Sequence, residues 1–301
     1  MGTPDFAVPS LEILYNAGYQ IVGVITSVDK KGGRGRKNII ESAVKKYAQS
    51  KNLSILQPNN LKSEKFQEKL SSLNADIQIV VAFRMLPQAV WDMPPMGTYN
   101  LHGSLLPAYR GAAPINWAII NGEKQTGVTF FKLKHEIDTG SILLTQAVPI
   151  YPDDRAGDLH DRMMWVAADA VYESVKKLDQ GTVELVEQDD SEVSHAPKLN
   201  SENTEINFAQ PVRKVYDFIR GLSPYPVAWT KFDNKRAKIR EASIDITAPN
   251  STPGTVRTDN KKYLKYSCTD GFLNVKEIQL SGKKNMKVRD FLNGYDDGNN
   301  K

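Results

Sequence analysis

The length of 301 residues exceeds one typical domain and is enough for two, each with a buried core. Hydrophobic residues make up 40% of the chain and charged residues 25%, and no apolar run approaches the roughly 20 residues that cross a bilayer, which excludes a membrane-spanning protein. Cys268 is the only cysteine, which excludes a disulfide framework and a cysteine-based zinc site. The first residues contain neither a basic segment nor an apolar signal core, so we expect a cytoplasmic protein.

The first half of the chain alternates short β-rich runs with helical patterns, which predicts an α/β fold with a doubly wound, mostly parallel, Rossmann-like sheet. The predicted strands cover residues 21–26, 53–56, 77–83 and 98–102, and the predicted helices cover 9–16, 41–51, 63–73 and 113–121. The strands at 21–26 and 77–83 are nearly continuously apolar, as strands covered on both faces are. A strand pair at 126–133 and 141–150, followed by an amphipathic helix over 157–180, completes this part.

The segment 2–6 (Gly-Thr-Pro-Asp-Phe) has the pattern of the turn that follows the first strand of such a sheet, yet no strand precedes it. In doubly wound folds the first strand lies in the middle of the sheet. The loss of about five buried apolar residues, at roughly 1.5–3 kcal/mol each, would remove about 10 kcal/mol, which is comparable to the whole stability of a domain. We therefore expect the functional protein to have an apolar strand upstream of Gly2.

Residues 183–205 are polar and without periodicity, which predicts a linker. We therefore predict an N-terminal domain over 1–184, a linker over 185–205 and a C-terminal domain over 206–301. The last of these begins with a predicted helix over 211–220, and short β-rich runs follow, separated by turn signals at Asn234, Pro249-Asn250, Pro253-Gly254, Asp259-Asn260 and Asp270-Gly271. Short strands at this spacing predict a small β-barrel, for which the oligonucleotide-binding (OB-like) type is one candidate.

The charge is unevenly distributed along the chain. From Ile206 onward, 18 Lys and Arg stand against 10 Asp and Glu, a balance of +8, whereas the preceding 205 residues carry 21 against 25, a balance of −4. A basic second part indicates contact with a polyanion. A solvated surface with a chance excess of lysine is the alternative.

Three polar residues in the stretch 100–140 form a candidate catalytic group. Asn100 and His102 lie two apart near the end of a predicted strand, so their side chains point to the same face of the sheet. Asp138 lies in a loop between two predicted strands, from which a carboxylate can reach that histidine. An amide, an imidazole and a carboxylate around one point suit acyl transfer to an amine. On residue types alone, a hydrogen-bonded core histidine and a turn-capping aspartate stay open as the alternative.

The stretch 100–107 (NLHGSLLP), followed by 109–114 (YRGAAP) and 137–140 (IDTG), resembles the signature of the 10-formyltetrahydrofolate-dependent formyltransferases. Other segments resemble the members of that superfamily that formylate the methionine carried by initiator tRNA: residues 2–7 (GTPDFA), 29–37 (DKKGGRGRK), 222–229 (LSPYPVAW) and 280–284 (LSGKK). The resemblance covers nearly the whole chain, from residue 2 to about 293.

The resemblance implies that Asn100, His102 and Asp138 are the catalytic residues and that 10-formyltetrahydrofolate is the co-substrate. It implies that the apolar edge 81–87 holds the pteridine ring and that the loop 104–107 supports the site. The implied folate-binding residues are Phe83, Arg84, Met85, Leu86, Ser104, Leu105, Leu106 and Pro107. Phe-Arg-Met at 83–85 departs from the family, in which many members have Tyr-Gly and an apolar residue.

The basic loop 29–37 combines three glycines with five cations: Lys30, Lys31, Arg34, Arg36 and Lys37. Glycine allows a backbone to come close to a phosphate backbone, and each cation can neutralise one phosphate. The resemblance implies that this loop enters the acceptor arm of methionyl initiator tRNA, with Arg34 as the leading contact. A solvated loop without a partner is the alternative.

Two other functions are compatible with parts of this pattern. Formyl transfer to a small molecule shares the chemistry. The basic second domain argues against a purine-precursor ribotide as the acceptor. The combination of GTPDF at 2–6 with GRGRK at 33–37 argues against an amino-sugar nucleotide. A catalytically inactive RNA-binding module is disfavoured because the trio Asn100, His102 and Asp138 is intact.

The sequence also bears on metal binding and oligomeric state. His135, His160 and His195 lack metal-ligand spacing, so we expect no metal. The second domain shows no dimer seam, so we expect a monomer.

Overall fold

The computed structural model describes residues 1–32 and 38–295. They form two compact units. The first unit comprises Met1–Gly111, Thr126–Pro149 and His160–His195, and the second comprises Ala112–Gln125, Ile150–Leu159 and the chain from Ala196 onward. The predicted division into 1–184, 185–205 and 206–301 stays a prediction.

The helices begin and end within a residue or two of the predicted ranges wherever the sequence is periodic. They are α1 (Val8–Asn16), α2 (Ala43–Ser50), α3 (Glu64–Ser71), α4 (Gln88–Trp91), α5 (Pro114–Ile120), α6 (Ala156–Asp179), α7 (Val212–Gly221) and α8 (Val288–Asn293). The strands are β1 (Val24–Ile25), β2 (Lys30–Gly32), β3 (Asn38–Ile40), β4 (Ile55–Leu56), β5 (Gln78–Val81), β6 (Thr98–His102), β7 (Arg110–Gly111), β8 (Gln125–Lys132), β9 (Ile142–Pro149), β10 (His195–Ala196), β11 (Ala228–Phe232), β12 (Lys235–Asp245), β13 (Val256–Thr258), β14 (Leu264–Ser267), β15 (Phe272–Leu280) and β16 (Met286–Lys287).

The first unit contains the parallel sheet that its sequence predicts. β1 runs parallel to β4, and β5 runs parallel to β6. β1 and β4 form a two-stranded sheet, and β5 and β6 belong to a four-stranded sheet with the order β5-β6-β8-β9, in which β8 is antiparallel to β6. A buried apolar cluster, which includes Leu56, Phe66 and Val80, packs β1, β4 and β5 against α3. The unit is therefore a Rossmann-like layer structure in which β6 lies between a parallel and an antiparallel neighbour.

The first two residues lie between β1 and β5. The amide of Gly2 donates to the carbonyl of Ile25 at 3.0 Å, and the amide of Val81 donates to the carbonyl of Met1 at 2.9 Å. The Met1 amino group donates to the carbonyl of Ile79 at 2.6 Å, and its burial lowers its pKa to about 5. A cavity of about 660 Å³ adjoins these residues, and its lining includes Leu14, Leu70 and Leu178. The expectation of a strand upstream of Gly2 stays a prediction.

The second unit contains a curled antiparallel sheet with the strand order β11-β12-β15-β14-β13, and β16 pairs with β15. The register between β12 and β15 shifts on both sides of Glu241, and such irregularities bend and twist a strand. Helix α7 packs Val215 and Ile219 into the same buried core as Ile239 and Ile278. Cys268 belongs to this core, where burial raises the pKa of its thiol to about 11.

Several short elements were not predicted, because two to four residues are too few to show a periodicity. The flanks of the basic loop form one of them, since Lys30–Gly32 pairs antiparallel with Asn38–Ile40. The predicted linker also begins in contact with the first unit, because Val186 exchanges two backbone hydrogen bonds with Ile142, at 2.7 and 2.8 Å. Within the described parts of the chain, no helix has both the length and the apolar composition that a bilayer crossing requires.

Candidate active site

Strand β6 positions Asn100 and His102. Asn100 lies opposite Val80 of β5 and Phe131 of β8, and His102 lies opposite Thr129 of β8. Side chains two apart on a strand project to the same face, so the amide and the imidazole share one side of the sheet. The imidazole is buried, with 6% of the His102 surface exposed, and the Asn100 side chain is half-buried. The neighbouring Tyr99 lies in the core, where burial raises the pKa of its phenol.

The hydrogen bonding of His102 determines its neutral tautomer. Its Nε2 lies 2.8 Å from the carbonyl oxygen of Tyr109. A carbonyl oxygen only accepts hydrogen bonds, so Nε2 carries the hydrogen and donates. The lone pair of the neutral ring is therefore on Nδ1, which lies 3.7 Å from Oδ2 of Asp138. Nδ1 is thus the nitrogen available to accept or return a proton.

Asp138 lies in the segment 133–141 that connects β8 and β9, and it has a positive φ of 57°. Its Oδ2 accepts a hydrogen bond from the amide of Gly111 at 3.0 Å, and only 9% of the residue is exposed. Gly140 closes the same segment at a point where a Cβ would lie 1.6 Å from the carbonyl oxygen of Lys132, so only glycine fits there. The segment therefore has one tightly determined path, which directs the carboxylate toward His102.

Electrostatic contacts hold the two ends of this segment. Glu187 accepts hydrogen bonds from Nζ of Lys134 and Oγ of Ser141, each at 2.7 Å. These contacts keep the pKa of the Glu187 carboxyl below its ordinary value. Among the residues that the structure describes, no group of three or more His, Cys, Asp or Glu side chains is arranged to hold a metal ion.

The loop after β6 is fixed by Thr129 of β8. Its hydroxyl donates to the carbonyl of Ser104 at 2.7 Å and accepts from the amide of Leu106 at 3.0 Å. The buried Ser104 hydroxyl donates in turn to the carbonyl of Ala108 at 2.6 Å. The predicted folate residues Ser104, Leu105, Leu106 and Pro107 lie in this loop. Sequence reasoning did not identify Thr129, because a threonine on a β-strand is common and carries no signal of its own.

The second predicted folate segment follows β5, the parallel neighbour of β6. Phe83 is half-buried, Met85 is 73% exposed and Leu86 is buried. The Arg84 guanidinium turns back to donate to the carbonyls of Pro58 and Asn59. Parallel strands end at the same edge of a sheet, so this segment and the loop after β6 share the carboxyl edge at which His102 lies.

The basic residues predicted to contact tRNA fall partly outside the described chain. Lys30 and Lys31 lie on β2 with exposed side chains. Arg34, Arg36 and Lys37 lie outside the described residues.

Sequence reasoning missed further residues around the trio because they act through backbone groups or come from distant segments. Tyr109 and Gly111 contribute a carbonyl and an amide, which side-chain types do not indicate. Gln188 comes from the predicted linker, and its Nε2 donates to the carbonyls of Asp138 and Gly140 at 2.9 and 2.8 Å. No local pattern marks this residue.

The amide and the imidazole of one strand and a carboxylate near the imidazole form a group that is chemically suited to acyl transfer. Comparison with known proteins gives the class to which the chain belongs. A family profile described as formyl transferase matches residues 2–175, and one described as formyl transferase, C-terminal domain, matches residues 198–296. The chain belongs to the formyl transferase family.

Similar relatives carry the name methionyl-tRNA formyltransferase. The relative from Parabacteroides distasonis is 50% identical over 305 aligned residues, and that from Phocaeicola vulgatus is 51% identical over 305; each alignment covers 98% of this chain and 94% of the relative. The resemblance found in the sequence is thereby confirmed. A solved N-formyltransferase from Helicobacter canadensis, in complex with folinic acid and dTDP-3-aminofucose, has a TM-score of 0.69 at 21% identity and covers 91% of this chain and 96% of that chain, which shows a shared fold.

Proposed function

We propose that this chain transfers the formyl group of 10-formyltetrahydrofolate to the α-amino group of methionyl initiator tRNA. The observation that carries the proposal is the pair formed by His102 and Asp138, in which the proton-accepting Nδ1 faces a carboxylate at the carboxyl edge of the sheet. The pair occurs in a chain about half identical, over 98% of its length, to relatives named methionyl-tRNA formyltransferase.

The reaction proceeds by direct attack of the methionyl amine on the formyl carbon, which gives a tetrahedral intermediate. Asn100 stabilises the oxyanion through a hydrogen bond that strengthens as the charge develops, and His102 adds a second one once its Nδ1 has taken up a proton. The amine proton passes, directly or through water, toward Nδ1 of His102, and Asp138 stabilises the resulting imidazolium. Collapse of the intermediate breaks the bond between the formyl carbon and the folate nitrogen. That nitrogen takes up the proton held on Nδ1 of His102, directly or through water, which returns the imidazole to its neutral form.

Two segments are assigned to the folate. The first is the segment 83–86, in which the exposed Met85 and the half-buried Phe83 offer apolar surface, while Arg84 binds the carbonyls of Pro58 and Asn59 and Leu86 is buried. The second is the loop that contains Ser104, Leu105, Leu106 and Pro107. Both segments follow parallel neighbouring strands, which is where open α/β sheets bind ligands.

The second domain is assigned to tRNA. Its curled antiparallel sheet supports an OB-like architecture over 206–301, after a catalytic domain over 1–184 and a linker over 185–205. β11 and β12 carry several cations, and the Arg236 guanidinium lies 4.1 Å from the centroid of the Trp229 ring. Such a surface suits phosphates and stacked bases. The enzyme acts in the cytoplasm as a monomer.

The basic loop is expected to bind tRNA and not folate. Replacing Arg34 with alanine removes one cation that can neutralise a phosphate, so the KM for methionyl-tRNA should rise far more than the KM for 10-formyltetrahydrofolate. Steady-state kinetics with each substrate varied in turn would measure both constants. Equal changes in the two constants would remove this role from the loop.

The acceptor is the part of the proposal that one assay tests directly. The purified chain is supplied with 10-formyltetrahydrofolate and, in parallel, with methionyl initiator tRNA, free methionine or an amino-sugar nucleotide. Formylation of the tRNA-bound methionine alone is expected. Formylation of the sugar nucleotide in preference to the tRNA would overturn the proposal.

A further inference from the structure

Gln188 bridges two parts of the candidate active site within the first unit. Its side-chain Nε2 donates to the carbonyl oxygens of Asp138 at 2.9 Å and of Gly140 at 2.8 Å. Its Oε1 accepts from Arg110, at 3.1 Å from Nε and 2.7 Å from Nη2. The amide therefore joins the Arg110 guanidinium to the main chain on both sides of Thr139.

Arg110 determines which way this amide points. A guanidinium has only donors, so it selects the oxygen of Gln188 and leaves the two amide hydrogens directed at the carbonyls. The Arg110 side chain is itself largely buried, with 11% exposed, and its main-chain amide donates to the carbonyl of Ser194 at 2.9 Å. The orientation of the amide is therefore fixed by a buried group.

The segment that receives these bonds needs such support. Asp138 has a φ of 57°, in the left-handed region that an L-residue enters at an energetic disadvantage. The Nδ1 to Oδ2 separation of 3.7 Å depends on the path of this backbone. A displacement of about 1 Å at a reacting group is enough to reduce a rate by about 100-fold.

We propose that Gln188 is a positioning residue, which holds the Asp138 segment so that the carboxylate faces Nδ1 of His102. This role rests on the proposed function. The side-chain hydrogen bonds of Gln188 go to Arg110 and to the main-chain carbonyls of Asp138 and Gly140, so the residue acts through the Asp138 segment.

The decisive variant is Gln188→Glu. A glutamate keeps the size of the side chain and the acceptor for Arg110, but it cannot donate to the two carbonyls. We expect kcat to fall by about 10- to 100-fold, while the KM values for methionyl-tRNA and for 10-formyltetrahydrofolate change by less than about threefold. The matched control is Asp190→Asn, because Asp190 contacts the same Arg110 from the solvent at 2.9 Å and is 82% exposed. Its kcat should stay within about twofold of the wild type, since exposed ion pairs contribute little.

A double-variant cycle separates positioning from general support of the fold. Asp138→Asn removes the charge, and asparagine tolerates the left-handed backbone. If Gln188 acts only through the carboxylate, then Gln188→Glu lowers kcat by less than about twofold in the Asp138→Asn background. Single-turnover assays with excess enzyme keep this slow reaction measurable.

The positioning role would be overturned if Gln188→Glu lowered kcat by the same factor in the wild type and in the Asp138→Asn variant. A wild-type kcat in Gln188→Glu would overturn it as well. So would thermal melts in which the folded fraction of Gln188→Glu falls by the same factor as its kcat. These outcomes are separate from a failure of the proposed function, which would show as a wild-type protein that does not formylate methionyl-tRNA.

Discussion

Replacing His102 with alanine is expected to lower kcat for formyl transfer by about 100-fold or more, because the variant loses both the proton acceptor and a stabilising group for the oxyanion. The KM for methionyl-tRNA should change little, since the buried imidazole is expected to bind the transition state and not the tRNA body. Steady-state kinetics with both substrates in turn would measure the effect.

The control for this variant is His160→Ala. His160 lies on α6, where its Nδ1 is 2.9 Å from the carboxylate of its exposed neighbour Asp161, so it also has an imidazole paired with an aspartate. A loss of activity of the same size in both variants would contradict a specific role for His102. Circular dichroism of both proteins would verify that the sheet is intact.

Replacing Asp138 with asparagine is the second change with a large expected effect. Asparagine can keep the hydrogen bond from the Gly111 amide through its own oxygen and can adopt the positive φ, so the segment should retain its path. Only the charge is lost, and the imidazolium that forms during proton removal is no longer stabilised. We expect kcat to fall by about 100-fold with little change in melting temperature.

An alanine at the same position serves as the comparison. Asp138→Ala loses the hydrogen bond as well as the charge, so its melting temperature should fall while its kcat is no better than that of the asparagine variant. If Asp138→Asn keeps wild-type kcat, then the carboxylate charge has no part in the chemistry.

Much of the first unit was predictable because its signals are local. The helix over 156–179 and the strand over 98–102 follow from periodicity and from apolar runs that end in turn residues. For His102 and Asp138, which are far apart in sequence, the residue pattern predicted only that the carboxylate could reach the imidazole. The motif resemblance supplied the identity of the family.

The remaining parts of the site were not predictable because they depend on long-range contacts and on backbone atoms. Gln188 lies 50 residues after Asp138, in a polar stretch with the composition of a linker. The carbonyl of Tyr109, which selects the tautomer of His102, belongs to a backbone group that every residue has. Such groups acquire a role only when the fold brings them together.

The path of the chain after α6 has a practical consequence for anyone who isolates the catalytic half. A fragment that stops at residue 184 would contain Asn100, His102 and Asp138, yet it would lack Gln188 as well as Ser194, whose hydroxyl accepts from the amide of Tyr109 at 2.9 Å. A fragment that extends to residue 195 retains both. We expect the segment 133–141 to be less ordered in the shorter fragment than in the longer one. Amide hydrogen exchange at Gly111, whose amide donates to Oδ2 of Asp138, would distinguish the two.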